Sequence, residues 1–351
     1  MSSVQYRSVI IGLTGIGAAR PEEDDNIPVY GAMPYSHASA YHRHPNTDVV
    51  AVCDINEEAL SNFQSNWGDV WPEVRTYTDY RSMLEKEKPD LVSVATSDHL
   101  HADITVDAAG GSARAILCEK PIATSLQDAD RMIAAADENG VLLSVEHTRR
   151  WMPEYLSARE LIRSGEIGQL RTIVCEMMSR RSMLFRNGTH LLDMICFFAE
   201  GNPQWVMSEL EDGFDHFTEY KGDGGRDPAS DPFASAYIRF DNGVRGFYNS
   251  YKVDFPGSQF LLTCDGGQIQ VSDQFTRLVQ GSTHYRWDTS DIRVIHYTME
   301  RQLAAVGELI HVLENGGDLV SSGREARKTL EIMLGMLRSH QEGNRRVEMS
   351  E

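Results

Sequence analysis

The sequence predicts an α/β chain in two parts. The first is built on a parallel sheet with helices on both faces, the second on an antiparallel sheet. Apolar runs alternate with helix signals through the first 121 residues, the pattern of a parallel sheet covered on both faces. Beyond residue 170 the runs follow one another through turns such as Asp241-Asn242-Gly243 and Asp265-Gly266-Gly267, as hairpins do. A length of 351 residues allows two domains with sizeable cores. They are expected at 1–121 and 122–351.

The run at 8–12 is a short strand ending in Gly12, and 36–44 is a helix stopped by Pro45. The continuous apolar run 48–54 ends in Asp54 and reads as a strand buried on both faces. Helices are expected at 57–67, 78–86 and 99–110, with strands at 90–96 and 115–119. A helix at 126–139 stops at Gly140, a strand follows at 141–145 and a helix at 153–164. The second part holds strands at 170–178, 234–240, 243–253, 260–264 and 267–271. Helices at 299–314 and 324–340 close the chain, with Ser322 as a cap for the last. Segments 20–34 and 209–232 exceed ordinary loop length and are expected to act as lids or binding loops.

The formal charge of −19 repels nucleic-acid phosphates and anionic membranes, so neither is expected as a partner. Cys53, Cys118, Cys175, Cys196 and Cys264 are scattered and odd in number, against a disulfide framework or a zinc site. No metal is expected, because the histidines form no convergent cluster. No apolar window reaches bilayer length, and no cleavable leader is visible at the start. A cytoplasmic protein is expected.

Gly12-Leu13-Thr14-Gly15-Ile16-Gly17 follows the first strand. A dinucleotide site needs glycines there for a tight turn and for close approach of backbone to pyrophosphate. Thr14 stands where a second glycine is usual, and its hydroxyl can donate to a phosphate. An ordinary glycine turn is the alternative. Asp54, at the end of the second strand, suits the adenosine ribose hydroxyls and opposes a 2′-phosphate, favouring NAD over NADP; a strand-end cap is the competing account. Thr96, Ser97 and His101 stand at the carboxyl end of another strand, where ligands bind in open α/β sheets, or in a surface loop capped by Asp98.

Glu119-Lys120-Pro121 ends a further strand. A lysine there is suited to moving the proton of an alcohol while its hydride passes to a nicotinamide. Lysines are ordinarily solvated, but the apolar strand and Pro121 argue for a constrained position. His190 and Asp193 are three apart on one helix face, as a proton relay or as a structural pair. Arg149 and its neighbours Arg150 and Trp151 suit an anionic or polyhydroxylated ligand, or line a surface between domains.

These residues carry a resemblance. VVAVCD ending at Asp54, ATSDHLHA from Ala95, LCEKPIATSLQDADRMI from Leu117, EHTRRW from Glu146, LIRSGEIGQL from Leu161, GTHLLD from Gly188 and SGREARKTLEIML from Ser322 resemble the glucose–fructose oxidoreductase/inositol dehydrogenase family, Gfo/Idh/MocA. The resemblance implies an N-terminal Rossmann domain and a C-terminal α/β domain with a large, mostly antiparallel sheet. It implies bound NAD or NADP, a sugar or cyclitol substrate, and a homodimer or homotetramer formed by the open sheet face. By position Lys120 and His190 match the catalytic pair. Gly12, Gly15, Gly17, Asp54, Thr96, Ser97, Glu119 and Lys120 match cofactor contacts.

Arg186 stands where many members carry an aspartate. A cation cannot act as a base there, but it can bind a carboxylate or phosphate on the substrate, or point away while Asp193 orients His190. The expectation is an NAD-dependent dehydrogenase acting on a secondary hydroxyl. Its rivals are a redox-neutral enzyme that cleaves glycosides or epimerises through transient oxidation, and a non-catalytic dinucleotide-binding regulator.

Overall fold

The structure, a computed structural model, describes residues 5–21, 35–222, 227–283, 286–296 and 299–349. Most of the 20–34 insertion, with its Glu22–Asp25 acidic stretch, lies outside them. The chain divides into two compact units, Met1–Thr148 with Thr298–Ala326, and Arg149–Tyr297 with Arg327–Glu351.

Unit 1 begins with β1 (Tyr6–Ile11), a 3-10 turn (Gly15–Gly17), α1 (His37–Arg43), β2 (Thr47–Cys53), α2 (Glu57–Trp67), β3 (Arg75–Tyr77) and α3 (Tyr80–Glu87). It continues with β4 (Leu91–Val94), α4 (His101–Ala109), β5 (Ala115–Cys118), α5 (Leu126–Asn139) and β6 (Leu142–Val145). The six strands pair in parallel in the order β3-β2-β1-β4-β5-β6. Val9, Ile10, Val52, Val92, Val94, Ile116 and Leu117 have no exposed surface, which is why these strands read as unbroken apolar runs. Local chemistry sets the helix ends. Ser36 and Ser39 form a capping box on α1, Asn56 caps α2, and Asp79 accepts from the first amides of α3.

The expected boundary after residue 121 is displaced. β6 pairs with β5 from Ala115↔Leu142 to Cys118↔Val145, so the parallel sheet is not complete until residue 145.

Unit 2 holds α6 (Pro153–Ser164), β7 (Leu170–Met178), a π-turn (Leu184–Gly188), α7 (Thr189–Ala199), β8 (Pro203–Leu210), β9 (Ala234–Phe240) and β10 (Arg245–Tyr251). Then come β11 (Gly257–Cys264), β12 (Gly267–Val271), β13 (Thr276–Thr283) and β14 (Arg286–Asp291). Helices α8 (Arg301–Asn315) and α9 (Gly323–Gln341) and the short β15 (Val347–Glu348) end the chain. The nine-stranded sheet runs β14-β13-β12-β11-β7-β10-β9-β8-β15, and only the β7–β10 pair is parallel. Alternate residues of β7 (Ile173, Cys175, Met177) are buried, as a sheet with one covered face requires. The Asp241–Gly243 turn joins antiparallel β9 and β10, with Gly243 at φ 93°.

Helix α8 belongs to unit 1, where it packs on α1, β5 and β6. The Ser322 hydroxyl accepts from Glu325 N at 3.4 Å at the start of α9. All five cysteines are buried, and none forms a disulfide. Among the described residues no helix is long and apolar enough to cross a membrane. No group of three or more His, Cys, Asp and Glu side chains is arranged there to hold a metal ion.

Candidate active site

In unit 1 the strand order reverses between β1 and β4, the place where open parallel sheets leave a crevice beyond their carboxyl ends. Gly12 has φ 92°, and a Cβ on it would fall 2.4 Å from the Ala95 carbonyl oxygen. A Cβ on Gly17 would fall 2.1 Å from the Gly12 carbonyl oxygen. Neither position admits a side chain, so the loop lies flush on the sheet edge. Between them Thr14, Gly15 and Ile16 are exposed.

The Asp54 carboxylate braces this loop, accepting from Leu13 N and Asn56 N at 2.9 Å each. A carboxylate keeps further lone pairs beyond those two. Trp67 Nε1 donates to Ala18 O at 2.8 Å and fixes the loop's exit. Thr14, Gly15, Ala18, Asn56, Asn62 and Phe63 line a cleft of about 290 Å³. Thr96 is half-buried and Ser97 exposed at the end of β4, and Lys120 is half-buried at the end of β5.

Two further predicted cofactor contacts hold the crevice from behind, which corrects their expected role. His101 is fully buried. Its ring nitrogens face Pro121 O at 2.9 Å and Thr96 O at 3.2 Å. It ties the ends of β4 and β5 together and presents no ring atom outward. Carbonyls only accept, so the doubly protonated ring satisfies both. Burial opposes that charge, but Cys118, the Asp98 carboxylate and the Pro121 carbonyl outweigh it, and the pKa rises to about 10.

An unfolded histidine titrates near 6.5. The folded group binds its proton more tightly, so this stabilisation is complete below about pH 6.5 and is lost as pH rises towards 10. Thermal midpoints measured from pH 6 to 10 should fall along that window in the native protein. They should fall less in His101→Gln. Equal slopes would refute the charged ring.

Glu119 is buried, with Oε1 3.3 Å from His37 Nε2 and Oε2 accepting from Lys120 N at 3.3 Å. His37 Nδ1 lies 2.8 Å from Ser93 Oγ, which lies 2.9 Å from the Tyr41 hydroxyl. Burial alone would raise the Glu119 pKa, but the His37 hydrogen bond and the Lys120 and His101 charges hold it below the usual carboxylate range. Sequence reasoning missed His37, Ser93 and Tyr41. Their partners come from separate elements, and no local spacing announces the chain they form.

In unit 2, Arg149, Asn187, His190, Gln259, Ser272 and Asp273 line a cleft of about 720 Å³. His190 enters it from the first turn of α7. Arg149 is held across the cleft wall by Asp273, with Nε to Oδ1 at 2.9 Å and the terminal nitrogen to Oδ2 at 2.7 Å. The Tyr155 hydroxyl donates to the same carboxylate at 2.5 Å. Gln259 Nε2 donates to Glu176 Oε2 at 2.9 Å.

Two other predicted substrate contacts stand elsewhere. Asp193 has no exposed surface and makes a two-point pair with Arg150, at 2.8 and 2.9 Å, while Thr329 Oγ1 donates to it at 3.2 Å. It is an internal anchor of α7 and is not offered to a substrate. Arg186 lines a different cavity of about 250 Å³ with His216, Phe217, Tyr220 and Lys221. Its backbone amide is held at 3.0 Å by Asp231. Part of the expected binding loop is packed there, with Tyr220 stacked on Phe185 at 4.0 Å between ring centroids.

Residues 28–147 match the GFO_IDH_MocA oxidoreductase family with an NAD-binding Rossmann fold, and residues 155–270 match the GFO/IDH/MocA C-terminal domain. The chain belongs to the Gfo/Idh/MocA oxidoreductase family.

Within Gfo/Idh/MocA the chain is similar to D-apiose dehydrogenase of Paraburkholderia graminis. The two are 25% identical over 349 residues, covering 91% of this chain and 88% of that one. It is 33% identical to inositol 2-dehydrogenase of Salmonella typhimurium over 123 residues, 35% of either protein. The fold is shared with the crystal structure of an oxidoreductase domain protein from Kribbella flavida. The TM-score is 0.78, with 18% identity, over 99% of this chain and 100% of that one.

Proposed function

We propose that this protein is an NAD-dependent dehydrogenase that oxidises a secondary hydroxyl of a sugar or cyclitol, with Lys120 and His190 as the catalytic pair. The placement of Lys120 carries the reading. It stands half-buried at the carboxyl end of β5, in the sheet whose glycine loop admits no side chain at Gly12 or Gly17. The exposed stretch Thr14 to Ile16, Thr96, Ser97 and the lone pairs left on Asp54 fit a dinucleotide, which would supply the hydride acceptor. The Asp54 carboxylate accepts from ribose hydroxyls and opposes a 2′-phosphate, which favours NAD over NADP. The dehydrogenases of apiose and inositol among its relatives support a polyhydroxylated substrate.

The chain's own contribution is orientation and proton movement. Gln259, Ser272 and the Arg149–Asp273 pair present donors and acceptors to a substrate's hydroxyls. An amine or an imidazole within hydrogen-bond reach of the reacting hydroxyl accepts its proton as the C–H bond breaks. Arg186 lines a separate cavity from His190, so the substrate is read without it.

A panel of aldoses, ketoses and cyclitols should be incubated with NAD and with NADP, following reduced-cofactor absorbance and products. NADH should accumulate with at least one polyol, and more slowly with NADP. Consumption of a glycoside without NADH would replace net oxidation by redox-neutral chemistry. Dinucleotide binding with no conversion of any compound would leave the regulator.

A further inference from the structure

The helix that carries His190 is started by a distant part of the chain. The π-turn and α7 form one continuous helical run, and the first amides of such a run have no acceptor within it. Leu184 N donates to Pro232 O at 2.8 Å. Phe185 N and Arg186 N both donate to Asp231 Oδ2 at 3.0 Å. Arg186 and Asp231 are 45 positions apart. Only from Asn187 and Gly188 onward do the amides return to the run's own start, at Met183 O.

Asp231 is 4% exposed and is itself held in place. It ends the 209–232 segment, whose base is closed by Glu211 N donating to Phe233 O at 3.0 Å and Phe233 N donating to Glu211 Oε2 at 3.2 Å. Lys252, just past β10, donates to Glu211 Oε2 and to Pro228 O. Rings of the same segment hold Phe185, with Tyr220 at 4.0 Å and Phe217 at 6.1 Å between centroids. At the other end of the π-turn a Cβ on Gly188 would fall 2.5 Å from the buried Tyr248 hydroxyl oxygen. The turn is fixed at both ends, and His190 follows two residues later on the wall of the 720 Å³ cleft. Single π-turns inside helices frequently mark functional sites.

We propose that Asp231 is a positioning residue for His190: by accepting the amides of Phe185 and Arg186 it sets where α7 begins, and so where the imidazole stands in the cleft. The idea rests on reading His190 as a proton-moving group. Oδ2 alone takes both short bonds, while Oδ1 has only the longer contact to Phe185 N at 3.3 Å. One well-placed oxygen therefore suffices. Burial pushes the carboxyl up to about 7 against the Arg186 and Phe185 amides and the Lys252 charge, and a group protonated on Oδ1 still offers Oδ2 as acceptor. The geometry thus distinguishes substitutions: an amide oxygen can replace Oδ2, and a methyl group cannot.

The test is nuclear magnetic resonance of the full chain labelled with ¹⁵N-histidine, the His190 ring signal being the one absent from His190→Gln. In Asp231→Ala this signal should move or split, and in Asp231→Asn it should stay at its native position. On a polyol that the enzyme oxidises, Asp231→Ala should lower kcat by about 10²-fold, the cost of a misplacement of about 1 Å. KM and NAD affinity should stay within about two-fold of native, because Asp231 touches neither ligand in this scheme. Asp231→Asn should recover most of the loss in kcat.

A native ring signal in folded Asp231→Ala overturns the proposal, even where the thermal midpoint falls, since the residue then serves stability alone. So does an Asp231→Asn protein as impaired as Asp231→Ala, or a loss that lies in KM with kcat intact. Should Asp231→Ala fail to fold, Asp231→Glu decides. It keeps the carboxylate and lengthens the arm by one methylene, so a native ring signal there overturns the idea and a displaced one supports it. The resonance measurements need no substrate, so failure of the dehydrogenase reading would appear separately, as a chain whose His190 signal follows Asp231 and which turns nothing over.

Discussion

Lys120→Met should lower kcat/KM for polyol oxidation by about 10²- to 10⁴-fold, the range carried by one general acid–base group, while leaving NAD affinity largely unchanged. Methionine keeps an unbranched stem of similar length and removes only the ammonium, so packing at the end of β5 is retained. The glycine loop and Asp54 belong to β1 and β2 and do not depend on the lysine side chain. Calorimetric titration with NAD, alongside steady-state kinetics on the polyol found in the panel, separates binding from chemistry. A variant that turns over within a few-fold of the native enzyme would remove Lys120 from the reaction. A variant that loses NAD as well would make it a binding group only.

Asp193→Ala should destabilise unit 2 by about 3–5 kcal/mol, the penalty of breaking one side of a buried ion pair. The Arg150 and Asp193 side chains are 1% and 0% exposed, so removing the carboxylate strands a guanidinium away from water. The Phe197 ring lies 5.4 Å from the guanidinium carbon, and a cation–π contact is worth less than the lost pair. The double variant Arg150→Met with Asp193→Leu should recover much of the loss, because it removes both charges together. Urea unfolding of the two single variants and the double variant measures this. Equal stability of the Asp193→Ala and native proteins would mean that water or another anion reaches Arg150.

The contrast between these two residues shows what the sequence made legible. Lys120 stands out in the sequence because a strand, its terminal residue and a following proline are neighbours in the chain. Asp193 was misread for the same reason. Its spacing of three from His190 suggested a partner on its own helix, but the partner that claimed it is Arg150, 43 positions away. The central strands announced themselves because both faces are buried. β8 was missed because Gln204, Met207 and Glu209 interrupt it with solvent-facing residues, and β14 because it is exposed along its length. The Glu119–His37–Ser93–Tyr41 chain was beyond reach, since it exists only where α1 crosses β4 and β5. His101 was placed correctly at a strand end, but burial turned it from a ligand contact into a clamp.

The dinucleotide-binding half is discontinuous along the gene. Helix α8 covers β5 and β6 with Leu303, Val306, Leu309 and Ile310, yet it is synthesised more than 150 positions after β6. On the ribosome, the first 148 residues wait with that apolar strip bare until almost the whole polypeptide has emerged. A fragment cut at residue 148 should therefore be sticky and chaperone-dependent. A stand-alone cofactor-binding module would need 298–326 grafted back by a linker.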